Sequence, residues 1–241
     1  MTGRYAADVP LEGDNLVLRA RDLLRRHPGA GNAHPVAISL EKNLPVASGM
    51  GGGSSDAAAT LRALSQLWTM HLDAAALADI GLRLGADLPM CLSAKPLVAR
   101  GIGEELSVVA GFPALGLVLV NPGVPVSTAE IFAALTSRDN EKLPPLPRIV
   151  DFHSLRNWLE TTRNDLEPAA RTIQPAVAKA LSVLNKAGSG FSRMSGSGAT
   201  CFGLFETGNV AKRAAADIRS RHPDWFVAAT RSMATEADTH G

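Results

Sequence analysis

The sequence predicts an α+β protein. Helix-length and strand-length patterns are mixed along the chain without the regular alternation of a doubly wound sheet. One apolar run of strand length, LGLVLV at residues 115–120, reads as a buried strand. With 241 residues, 46% hydrophobic and 20% charged, the chain can form one broad core or two closely packed domains.

The elements follow in order. Residues 14–26 (DNLVLRARDLLRR) predict a helix, with Leu16, Ala20, Leu23 and Leu24 on one face and Asp14 able to cap its start. Residues 27–35 are a turn rich in glycine, proline and asparagine, and VAISL at 36–40 is a short strand candidate. Ala57, Leu61, Leu64 and Trp68 fall at helical spacing, which predicts a helix over 55–68. Asp73 caps the next helix, and Gly85 suits its left-handed stop. Residues 97–110 suggest a hairpin with Gly101 and Gly103 at its turn. A boundary at 111–113 separates an N-terminal half, 1–111, from a C-terminal half, 112–241. The second half offers helices near 128–135, 152–162, 175–186 and 209–221, and a closing strand near 225–230. Residues 138–149 are charged and proline-rich, a loop by composition.

Composition excludes several classes. A formal net charge of +1 gives no basic stripe for nucleic acid, while a local anionic ligand such as a nucleotide stays allowed. Cys91 and Cys201 belong to no paired motif, so structural zinc and a disulfide framework are not expected and buried free thiols are. No apolar run approaches the roughly 20 residues that span a bilayer. The opening residues have neither a signal core nor a transit composition, so a cytoplasmic setting is expected.

The chemistry lies in the glycines. In PVASGMGGGSSDAAA, three glycines and two serines run into the helix at 55–68. There is no Gly-Lys pair for a Walker loop, and the dinucleotide fingerprint counted from Gly49 meets Ser54 where its third glycine belongs. Glycines without Cβ can still turn several N–H groups inward, and a helix start favours negative charge. Phosphate binding and a purely structural turn both remain open, and Asp56 could cap or help hold a metal. Downstream, Met194 to Gly198 in MSGSGATCFGLF forms a second small-residue loop, read either as a tight hairpin or as a second wall of one site.

These stretches resemble the GHMP small-molecule kinases. PVASGMGGGSSDAAA is similar to their second motif and MSGSGATCFGLF to their third; NLVLRA, GADLPMCL, NPGVPVST and RNDLEPAA, in this order, narrow the likeness. The resemblance implies the GHMP kinase fold, with an N-terminal domain of the ribosomal S5 type and a C-terminal α+β domain, and ATP and substrate meeting between them. It implies transfer of the ATP γ-phosphate to an alcohol, the 2-hydroxyl of 4-diphosphocytidyl-2-C-methyl-D-erythritol, with Mg²⁺ bridging phosphate oxygens. Pro45, Val46, Ala47, Ser48, Gly49, Met50, Gly51, Gly52, Gly53, Ser54 and Ser55 would wrap the triphosphate. Asp87 of GADLP matches the catalytic aspartate; without the family it reads as a cap for the next turn. Ser195, Gly196, Ser197 and Gly198 would line the substrate cleft. Thr128 would lie near the cytidine diphosphate, or serve as a helix N-cap. Asn164 and Asp165 of RNDLE are read as helix caps. The chain is expected to be a monomer or homodimer, with no nucleic-acid or membrane partner.

The family's opening Ala-Lys-(Ile/Val)-Asn strand and its Gly-x-Arg-x-Asp-Gly-Tyr-His segment do not occur in these residues. By resemblance they carry a catalytic lysine and a pair that holds the cytosine. The N-terminal domain is therefore expected to be incomplete, with sheet edge exposed and one positive charge absent from the transfer site. Lys42 matches a different family position. Three rival readings predict other outcomes: a GHMP kinase for another alcohol, a nucleotide-binding relative without turnover, or plain linkers that bind no ATP.

Overall fold

The computed structural model describes residues 1–31, 33–137, 139–148 and 150–236; Asn32 in the expected turn and both ends of the loop expected at 138–149 lie outside the described residues. Two compact units form, one of Met1–Val46 with Gly51–Val109 and one of Ala47–Met50 with Ala110–Gly241.

The first unit is mainly helical. Helix α1 spans Leu16–Arg25, and its cap is Asn15, not Asp14. The amide does two jobs that a carboxylate could not combine: Oδ1 accepts from Val17 N at 3.0 Å while Nδ2 donates to the Pro10 carbonyl at 2.9 Å. Helix α2, Gly52–Leu67, begins three residues before the expected start, so Gly52 and Gly53 lie in its first turn rather than in a leader. Helix α3, Ala74–Leu82, is capped by Asp73 as expected. Gly85 is no left-handed stop: the last turn closes with Leu84 N and Gly85 N on the Gly81 carbonyl, and α3 runs almost directly into α4, Leu88–Ser93. Ala20 and Leu24 of α1, Ala57, Ala58, Leu61 and Leu64 of α2, Ile80 of α3 and Leu88 of α4 form one buried cluster. The helical spacing of the alanines and leucines puts them on one face of α2, and that burial is what holds α1, α3 and α4 to it.

The expected strand at 36–40 is not formed. Among the described residues this stretch joins no ladder, and pairing is confined to a bridge between Thr2 and Glu41. A strand pattern without a neighbour along its length has nowhere to place its backbone hydrogen bonds. The hairpin does form, from β1, Leu97–Arg100, and β2, Glu105–Val108, with Gly101 and Gly103 in the turn.

The second unit is built on an antiparallel sheet in the order β4-β5-β3-β6. Its strands are β3, Gly116–Asn121; β4, Phe191–Met194; β5, Cys201–Phe205; and β6, Phe226–Arg231. The continuous apolar run lies in the inner strand β3 because both faces of the sheet are covered. Val118, Val120, Cys201 and Phe205 face a core shared with α8, Pro175–Lys186, and α9, Gly208–Arg221. Leu117, Phe202 and Leu204 face the cluster of α6, Phe152–Glu160. Helices α5, Thr128–Ala133, and α7, Glu167–Ile173, complete the unit. No helix among the described residues is long and apolar enough to cross a membrane.

Candidate active site

The first unit carries the glycine-to-helix junction. Gly51 takes the N-cap position of α2 in the left-handed conformation, φ +65°, and no side chain caps the helix. The first-turn N–H groups, which no intrahelical carbonyl can reach, are thus left for another acceptor, and the helix dipole adds positive potential there. Beneath this turn, Lys42 Nζ meets Asp56 Oδ2 at 2.6 Å, with the lysine side chain only 6% exposed. Asp56, a possible metal ligand from sequence, is engaged by this ion pair.

Asp87 stands at the N-cap position of α4, but its side chain makes no capping hydrogen bond and its surface is exposed. The capping reading therefore fails, and its carboxylate is left available. One turn on, Cys91 lies 3.6 Å from the Ser55 hydroxyl, which donates to its sulfur. Burial pushes the Cys91 thiol up; the Ser55 hydrogen bond opposes this, and the negative charge of Asp87 adds to the rise. Arg62 of α2 donates to the carbonyls of Cys91 and Leu92 and so ties the end of α4 to α2. By these contacts the aspartate and the first turn of α2 come together in one unit.

The second unit carries the other glycine loop, between β4 and β5. Ser195 Oγ donates to the Gly49 carbonyl at 2.7 Å, and Thr200 N donates to the Ser48 carbonyl at 3.2 Å. Gly49, at φ +74°, is required by space as well as by conformation: a Cβ there would stand 2.2 Å from the Ser195 carbonyl oxygen. Residues 47–50 of the glycine stretch are thereby held on the Ser195–Gly198 loop. Thr128 and Ser197 share a hydroxyl contact of 2.8 Å, while Ser127 is the cap of α5, so Thr128 is not a helix cap. Asn121 donates to Thr200 Oγ1 inside this base.

Asn164 and Asp165 are not the caps of α7 either. That position is Leu166, without a side-chain cap; Asp165 pairs with Arg163, and Asn164 reaches the Met194 and Gly196 carbonyls. This contact, the Glu167 carboxylate on Met194 N and the Lys42–Asp56 pair were all outside the sequence reading. Each joins residues 14 or more apart, beyond the reach of helical or strand periodicity, although RNDLE itself stood out as a stretch. Cys201 is a buried free thiol, pushed up to about 12 by burial and then by Glu167, and Cys91 is a half-buried free thiol.

Among the described residues no three His, Cys, Asp or Glu side chains gather into a metal cage. Mg²⁺ held mainly by phosphate oxygens needs none. The Ser55 hydroxyl and the exposed Asp87 carboxylate are hard oxygen donors of the kind it takes, so the residues present fit it.

Comparison with known proteins shows the family of the chain. The profile described as "GHMP kinases N terminal domain" matches residues 15–95, and "GHMP kinases C terminal" matches 148–224. A relative from Mesorhizobium japonicum named 4-diphosphocytidyl-2-C-methyl-D-erythritol kinase is 75% identical over 238 residues, covering 99% of this chain and 81% of its own length. A Brucella melitensis relative of the same name is 50% identical, covering 98% and 80%. A crystal structure of 4-(cytidine 5'-diphospho)-2C-methyl-D-erythritol kinase superposes with a TM-score of 0.75 at 32% identity, covering 95% of this chain and 81% of that one. Homoserine kinase from Cytophaga hutchinsonii, at 16% identity and a TM-score of 0.69 over 98% of this chain and 81% of its own, shares the fold.

Proposed function

The chain belongs to the GHMP kinases, among the relatives named 4-diphosphocytidyl-2-C-methyl-D-erythritol kinase, and on that premise we propose how its own residues serve the reaction. It is a small-molecule kinase that uses ATP. The γ-phosphoryl group goes to the 2-hydroxyl of 4-diphosphocytidyl-2-C-methyl-D-erythritol, a step toward isoprenoid precursors outside the mevalonate route.

Residues 45–55 receive the triphosphate. The observation that supports this most directly is the uncapped first turn of α2 behind a left-handed Gly51. Asp87 orients the substrate hydroxyl and accepts its proton as the oxygen–phosphorus bond forms. Its carboxylate is free of the capping role that would otherwise occupy it. In a loose transition state such positioning outweighs base strength. When bound, Mg²⁺ would neutralise charge on the phosphates, and the Ser55 hydroxyl is the group of this loop that would hold it. Ser195 to Gly198, with Thr128 against Ser197, line the substrate side. Residues 1–111 and 112–241 are assigned as the N- and C-terminal kinase domains. The setting is the cytoplasm, with small molecules rather than nucleic acid or membrane as partners, and a monomer or homodimer as the unit.

The test is ADP release from Mg-ATP. Release should require the cytidine diphosphate-bearing alcohol, and Asp87→Asn should lower kcat ~10²–10⁴-fold at an unchanged melting temperature. Equal turnover of alcohols lacking the cytidine diphosphate would assign another substrate. ATP binding without any ADP would assign a nucleotide-binding protein.

A further inference from the structure

Residues 163–167, RNDLE, hold more backbone of the β4–β5 loop than any capping role requires. Asn164 Nδ2 donates to the Met194 carbonyl at 2.9 Å and to the Gly196 carbonyl at 2.8 Å. Its Oδ1 accepts from Leu166 N at 3.0 Å, so both donors and the oxygen of the amide are engaged. The two carbonyls it holds are those immediately before and after Ser195. Glu167 Oε2 accepts from Met194 N at 2.9 Å, so Met194 is held at its N–H as well as at its carbonyl. Ser195 is further pinned by its own N–H on the Thr200 carbonyl at 2.8 Å. What this fixed serine then does is donate its hydroxyl to the carbonyl of Gly49 at 2.7 Å.

We infer that Asn164 is a positioning residue for the nucleotide loop, acting through Ser195 on the backbone of Gly49. Gly49 lies within residues 45–55, two residues ahead of Gly51, the N-cap of α2. The inference rests on the reading of residues 45–55 as the ATP loop. Only an amide serves. Aspartate would bring carboxylate oxygen against two carbonyl oxygens, and alanine would release both. Asn164 carries no charge, and its amide is spent on the Met194 and Gly196 carbonyls and on Leu166 N, so its effect passes through the loop.

The experiment compares Asn164→Ala, Asn164→Asp, Ser195→Ala and the double variant Asn164→Ala/Ser195→Ala in the full chain. ATP affinity is read by calorimetry, KM for ATP and kcat by ADP release, and folding by melting temperature. Asn164→Ala should weaken ATP binding and raise its KM ~10-fold, with kcat within about threefold. Asn164→Asp should be worse than alanine. Ser195→Ala, which leaves the brace intact, should cost ~5-fold, and the double variant should add less than about twofold to Asn164→Ala, because one link serves both. A fall in melting temperature with unchanged ATP affinity in the folded protein would overturn the inference, as would fully additive losses. Absence of ATP binding by the wild-type chain would overturn the ATP-loop reading and the inference with it. Normal wild-type binding with indifferent variants would overturn the inference alone.

Discussion

At the junction leading into α2, the donors of the first helical turn have no side-chain cap, and the polar side chains beneath them, Lys42 and Asp56, are spent on each other. In the turn between β4 and β5 the reverse holds: carbonyls at Met194 and Gly196, the hydroxyls of Ser195 and Ser197 and the N–H of Ser195 all have partners within the protein. Both stretches are rich in glycine and serine. One uses glycine to leave N–H groups free for a ligand; the other uses it to pack backbone against backbone. A glycine-rich motif is therefore two different statements, and the distinguishing feature is where its hydrogen bonds end.

The comparison is most easily broken at its glycines. Gly49→Ala would drive a methyl into the Ser195 carbonyl, and kcat/KM should fall at least ~100-fold as the loop shifts by an ångström or so. Gly51→Ala meets no atom within 4 Å and has only the left-handed backbone against it, ~1–2 kcal/mol, so its loss should stay near ~10-fold. Equal losses in steady-state kinetics would erase the distinction between packed and open turns.

A smaller effect should separate the two partners of the ion pair. Asp56→Ala leaves a lysine that is 6% exposed without a counter-charge, and urea unfolding should show a loss of ~3 kcal/mol. Lys42→Ala leaves a carboxylate that is 31% exposed and near a helix start, so ~1 kcal/mol is expected. The opposite order would mean that the first junction is not held by a buried cation.

The smallest effect is chemical. Cys91 has its thiol pushed up by burial, so it should alkylate slowly at pH 7 and faster as pH rises, with Cys201 silent. Bound ATP should slow Cys91 further, because Ser55 of the glycine junction is its hydrogen-bond partner, and leave Cys201 unaffected. Mass spectrometry of the labelled peptides reads both; protection of Cys201 in place of Cys91 would assign the ligand to the other turn.

How much was legible can be judged from single elements. The helix of 175–186 was read to the residue, with Pro175 at its start and Gly188 past its end, since both signals are local. The hairpin at 97–110 and the inner strand β3 were likewise written in adjacent residues. The strand at 36–40 failed because a strand is completed by a neighbour, which a short apolar run does not name. Asp14 and Asn15 are both residue types that cap helices, and only the Pro10 carbonyl, placed by the fold, calls for a donor as well.

The sequence by itself determined the α+β class, the two glycine motifs and the kinship they carry, because periodicity, turn residues and motif spacing act over a few residues. Tertiary structure alone decided which donors stay free. It freed Asp87 from capping, gave Asp56 to Lys42 and turned Asn164 from a helix cap into a brace for Ser195. Those outcomes depend on which distant backbone groups arrive beside a side chain, and a hydrogen bond, with its reach of about 3 Å, is settled only when they do.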